Sequence, residues 1–127
     1  MTDMDAKVAL EELLSVIDAR RWDEMGRFLH RDFSCHYAHT GESFDRDGWI
    51  RVNADYPDFD RLLIQDLVGV GDAAAARSHV TSRDGDQLIH FECATFVRMR
   101  DGLIHEMTEV WTDVNQQPPA GTRPAEA

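Results

Sequence analysis

Glu109 lies in the segment Met107-Thr108-Glu109-Val110-Trp111-Thr112-Asp113. In an extended chain every second side chain shares a face, which sets this carboxyl between a thioether and an indole. An apolar wall disfavours the charged form and raises a carboxyl's pKa toward values useful for proton transfer near neutrality. Glu109 is therefore the candidate acid or base, the plainer alternative being a structural carboxylate paired with Arg77 or another cation. Tyr37 could donate a hydrogen bond to a ligand carbonyl, or simply bond to a neighbour in the core. His79 or His36 could approach Glu109 across a pocket as its proton-transfer partner, or lie on the surface.

Trp49, Tyr56, Phe59, Phe91 and Trp111 could supply an aromatic lining, with Thr95 and Met107 beside Glu109; ordinary core packing is the alternative. Cys93 falls next to Glu109 as well. A nucleophilic thiol needs a positive neighbour, so Cys93 reads as wall or packing, and Cys35 likewise. The histidines at 30, 36, 39, 79, 90 and 105 invite a metal reading that their spacing does not support. His36-x-x-His39 has no obvious third ligand, and neither a His-x-x-x-His helix pattern nor a paired-Cys motif occurs. No metal and no cofactor are expected.

Three kinds of element must hold these groups. Residues 4–19 place Val8, Leu10, Leu13, Leu14 and Ile17 at helical spacing, and residues 22–30 repeat the pattern with Trp22, Met25, Phe28 and Leu29, which predicts a helical hairpin. From Phe33 the period becomes two through Cys35 and Tyr37, with a turn at Thr40-Gly41-Glu42, a short return strand over 43–45 and a small helix over 47–54. Beyond Asp60 the strand pattern continues to Asp113, broken by turns at Gly71-Asp72, Arg83 to Asp86 and Arg100-Asp101-Gly102.

In the strand before the last turn, Ile89, Phe91, Cys93, Thr95, Val97 and Met99 form the core face, and Glu92 and Phe96 point outward. A three-residue loop at 100–102 with Gly102 left-handed would pair Met99 with Leu103. Leu103, His105, Met107, Glu109, Trp111 and Asp113 then join the core face, with Glu109 near Cys93, Met107 near Thr95 and Trp111 near Phe91. A two-residue loop would reverse the face.

The 127 residues carry a formal charge of −11, which argues against nucleic acid, whose phosphates require clustered Lys and Arg. No apolar run approaches the ~20 residues of a membrane-spanning helix. Two cysteines and no leader predict a reduced, cytoplasmic setting. One domain over 1–114 followed by a loose tail over 115–127, which holds three of the four prolines, is the expected organisation.

The order of helix pair, short strand pair, small helix and long antiparallel strands resembles the cone-shaped nuclear transport factor 2-like superfamily. Arg100-Asp101-Gly102-Leu103-Ile104 resembles its last-hairpin signature, and Glu109 to Asp113 the ending of its SnoaL-like members. Cys35-His36-Tyr37 and Asn53-Ala54-Asp55-Tyr56-Pro57 add to the likeness, which spans roughly residues 5–114. It implies an α+β fold, a highly bent, mostly antiparallel sheet wrapped by three N-terminal helices around a conical pocket, and a homodimer through the sheet's open face, where Phe96 and Val110 would be buried. It implies a small-molecule ligand and cofactor-free isomerase, dehydratase, cyclase or hydrolase chemistry, or else a non-catalytic accessory domain. Where the superfamily's ketosteroid isomerases carry their catalytic aspartate, second acid and tyrosine, this sequence has Tyr37, Thr95 and Leu13, so steroid isomerisation is not expected.

Overall fold

A computed structural model describes residues 4–124. Helix α1 (Ala6–Asp18) starts at Asp5, whose carboxylate accepts a hydrogen bond from the Val8 backbone N–H at 2.9 Å and so satisfies one free donor of the first turn. Leu10, Leu13, Leu14 and Ile17 are buried as their spacing requires, while Val8 is exposed. The next segment, Trp22–Phe28, is a 3-10 helix rather than an α-helix. It has room for only two turns before strand β1 (Leu29–Tyr37) begins, four residues earlier than the alternation at Phe33 suggested.

Strand β2 (Ser43–Asp45) leads into α2 (Arg46–Ala54), capped by Asp45 through the Gly48 N–H at 2.8 Å. Four long strands follow, divided by the three turns after Asp60: β3 (Phe59–Val70), β4 (Ala73–Asp84), β5 (Gln87–Arg100) and β6 (Leu103–Asp113). The sheet order is β2-β1-β6-β5-β4-β3. Every pairing is antiparallel except β1 with β6, a mixed sheet that bends over α1 without closing. The core lies between α1 and the concave face, where Leu62, Ala74, Ala76, Val80, Val97 and Met107 are buried.

The β5–β6 turn departs from the expected form. Arg100 pairs with Leu103, so the loop has two residues, Asp101 (φ 54°) and Gly102 (φ 78°). Both occupy the left-handed region that a tight hairpin turn demands, where Gly carries no penalty. Alone, this loop would turn Glu109 to the outside. One extra residue in β6 restores the face: Met99 pairs with Ile104 but Arg98 pairs with Glu106, so His105 is bulged out. Consequently Ile104, rather than Leu103 or His105, is fully buried, and His105 packs edge-on to His30 at 5.0 Å.

The shorter loop and the bulge together move the register by two residues. Glu109 lies opposite Thr95, Met107 opposite Val97, and Trp111 opposite Cys93. The expected neighbours meet diagonally instead, with Cys93 Sγ 3.5 Å from Glu109 Oε2 and the Phe91 and Trp111 rings 6.5 Å apart. Residues 115–124 form no helix or strand, yet Gln116 donates to Thr112 Oγ1 at 2.7 Å and to the Asp113 carbonyl at 3.0 Å, which ties the start of the expected tail to β6. The rest of that tail, 125–127, lies outside the described residues.

Candidate functional site

Parallel pairing of β1 with β6 sets Tyr37 beside Glu109, and β5 sets Thr95 on its other side. The Glu109 side chain is 4% exposed. Its Oε2 accepts from Thr95 Oγ1 at 2.6 Å and from the Cys93 thiol at 3.5 Å, and its Oε1 accepts from the Trp111 indole at 3.4 Å. Trp49, delivered by α2, is also fully buried. Its Nε1–H makes no hydrogen bond of good geometry, but it is near enough to Glu109 and Tyr37 to favour their charged forms.

Burial nevertheless dominates, and it holds the Glu109 carboxyl above the ordinary carboxylate range, with the donors from Thr95, Cys93, Trp111 and Trp49 offsetting only part. Burial also raises the Tyr37 hydroxyl and the Cys35 and Cys93 thiols, with the Glu109 charge adding to each. Both cysteines are free and stay protonated, as inert packing.

A cavity of about 450 Å³ opens above this group, between the ends of α1 and α2 and the last residues of β6. Tyr37, Tyr56, Phe59, Phe91 and Trp111 line it, and Trp22 completes six aromatic side chains. Glu109, Trp49, Cys93, Thr95 and Met107 do not line it. They lie one layer down, because the inward row of a twisted strand passes from the cone's core to its mouth and only the residues from Trp111 onward reach the opening.

His79 is not part of this group. It alternates with the buried Ser78 and Val80, so its ring is on the convex face, where it bonds Glu92 and, at 2.9 Å, His90. Arg77 is on that face too, between Asp66 and Glu92, so it does not pair with Glu109. His36 likewise faces outward to Ser43 at 3.1 Å.

Sequence reasoning missed Trp22, His39, Asn53 and Gln116, which line the cavity together with Asp113. His39 stacks on Tyr37 at 5.2 Å, and its Nδ1 accepts from the Trp111 N–H at 3.3 Å. The only sequence signal for it was its place two residues beyond Tyr37; contact with β6, 72 positions away, is set by tertiary structure. No three His, Cys, Asp or Glu side chains converge as a metal-ligand set among the described residues.

Several solved structures share the fold. A candidate ketosteroid isomerase from Kribbella flavida is 25% identical with a TM-score of 0.78, covering 94% of this chain and 90% of its own. IdmH, a candidate polyketide cyclase from Streptomyces antibioticus, is 21% identical with a TM-score of 0.70, over 81% of this chain and 88% of its own. An NTF-2 like protein of unknown function from Burkholderia xenovorans is 16% identical with a TM-score of 0.70, over 87% and 85%. No curated protein matches the sequence. Residues 10–107 match the SnoaL-like domain, and the chain belongs to that family, within the nuclear transport factor 2-like superfamily.

Proposed function

We propose that the cone binds a compact, largely apolar small molecule bearing a hydroxyl or carbonyl group, and that Glu109 serves as acid or base for a cofactor-free proton shift, dehydration, cyclisation or hydration. The observation that carries this reading is the 450 Å³ cavity, well above the ~300 Å³ at which small-molecule pockets begin, with a buried carboxyl, raised above its ordinary range by that burial, directly beneath its aromatic floor. Tyr37 supplies a hydroxyl to orient the ligand, and Phe91 and Trp111 shape the wall. A ligand on the floor is one side chain from Glu109, so proton exchange runs through a ligand hydroxyl or a single water reaching between Tyr37 and Trp111.

The convex face supports a homodimer: Val68, Val70, Phe96 and Val110 are exposed there, an apolar patch of the kind soluble monomers rarely leave open. The non-catalytic accessory domain, which would have its cone filled by its own side chains, is disfavoured by the open cavity. No helix among the described residues is long and apolar enough to cross a membrane. The cytoplasmic setting rests on the two unpaired, buried cysteines, and the absence of a nucleic-acid partner on the charge of −11.

Native mass spectrometry of the purified protein, with extraction of any retained organic molecule, tests binding and oligomeric state together. With that molecule as substrate, Glu109→Gln should bind it and lose turnover. Undiminished turnover in Glu109→Gln removes the acid–base role.

A further inference from the structure

The cavity's charge is one-sided. Six aromatic rings line it, its rim carries the exposed carboxylate of Asp113, and no Lys or Arg is among its lining residues. Arg20 lies 5.1 Å over the Phe59 ring from outside the lining, one of its guanidinium nitrogens donating to the Phe59 and Asp60 carbonyls at 2.8 and 2.6 Å. His39 is turned to the β6 backbone, its Nδ1 accepting from the Trp111 N–H at 3.3 Å.

Beneath the floor, Glu109 takes hydrogen bonds only from neutral donors, and no ion pair among the described residues involves it. A cation brought close to a buried carboxyl favours its charged form, which burial alone disfavours. The space where such a charge fits is the cavity itself, on the far side of the Trp111 indole, whose N–H end already points to Glu109. Aromatic faces around a desolvated cation contribute in the same direction, because the ring quadrupole is negative above and below its plane. A carboxylate or phosphate ligand would meet no Lys or Arg in the lining, only neutral donors such as those of Tyr37, Asn53 and Gln116, with Asp113 at the rim.

We propose that the ligand of this cavity bears an organic ammonium group, a tertiary or quaternary amine on an apolar or aromatic body, held against the aromatic wall above Glu109. This rests on the reading of the cone as a ligand pocket and names the chemical class that it selects.

Three probes of nearly equal shape separate the possibilities by charge alone: benzyltrimethylammonium, its uncharged carbon isostere neopentylbenzene, and the anion phenylmethanesulfonate. Binding is measured by calorimetry and by the fluorescence of Trp22 and Trp111. The expected result is that the cation binds at least about tenfold more tightly than the neutral isostere, with no detectable binding of the anion. Asp113→Asn, an exposed substitution that leaves folding intact, should weaken the cation about threefold and leave neopentylbenzene unchanged. Neutral binding as tight as the cation's, or anion binding of any strength above it, overturns the charge assignment while the pocket reading stands. Failure of all three probes to bind overturns both.

Discussion

Replacing Glu109 by Gln in the unliganded protein should change how stability varies with pH, and the sign follows from burial. The folded state holds the Glu109 carboxyl above its ordinary value of 4.5, so between that value and the folded one the native protein binds more protons than the unfolded chain. Stability contributed by this group is fully present below 4.5 and is lost as pH rises through the folded value, at up to about 1.4 kcal/mol per pH unit. Gln has no proton to lose. It keeps an acceptor for Thr95 but sets an NH₂ toward the Trp111 N–H in place of the 3.4 Å bond, a pH-independent cost of about 1 kcal/mol. Glu109→Gln should therefore be less stable than wild type near pH 4 and gain on it steadily as pH rises, the curves crossing within the window. Urea unfolding followed by tryptophan fluorescence from pH 4 to about 8, below the range in which free thiols titrate, measures the difference. Contributions from the other carboxylates cancel in it. Parallel curves over that range would refute the argument that burial governs Glu109.

Asp18 behaves oppositely. Burial alone would raise its carboxyl, but bonds from Arg61 at 2.9 and 3.1 Å and from the Leu62 N–H at 2.8 Å hold it below its ordinary value of 3.8. Its contribution is present above 3.8 and lost as pH falls through the lower folded value. Asp18→Ala should cost about 1–2 kcal/mol at neutral pH, and acid unfolding curves of variant and wild type should converge at the lowest pH; a constant gap there contradicts the assignment. At Gly69 an added Cβ would sit 2.9 Å from Lys7 Cβ and 3.0 Å from Ala74 Cβ, so Gly69→Ala should destabilise by about 1–3 kcal/mol through crowding between α1 and β3–β4. A neutral effect in thermal melts would show that α1 gives way freely. Phe96→Glu, on the exposed convex face, should convert a dimer to monomers in sedimentation velocity, and a wild-type protein that sediments as a monomer removes the dimer expectation.

Most of the fold was legible in local pattern. The 3.6-residue spacing of Leu10, Leu13, Leu14 and Ile17, the alternation from Cys35 to Tyr37, and the Gly and Asp pairs at the turns each record a constraint that acts over a few residues, and each element was found within a few positions. The candidate site was legible in part: strand alternation put Cys93 with Thr95 and Glu109 with Trp111, but that the two pairs share a face came from the bulge in β6. Trp22–Phe28 was misjudged because an amphipathic pattern over so short a span does not distinguish an α-helix from a 3-10 segment.

What the sequence by itself determined, then, was the set of elements and which side chains share a face within each strand, since both follow from side-chain periodicity. Tertiary structure alone decided three things. The bulge at His105 cancelled the face reversal of the two-residue turn, a compensation that no local signal in Leu103-Ile104-His105 announces. The side of the sheet on which His79 emerges followed from the β4 register, which turns it toward Glu92 and His90 and away from the cone. The boundary between core and cavity was set by the twist of β6 and the positions of α1 and α2, leaving Glu109 just beneath the floor while Trp111 and Asp113 reach the opening. Each of these depends on where strands and helices meet across tens of residues, and a face assigned by alternation carries no information about depth along it.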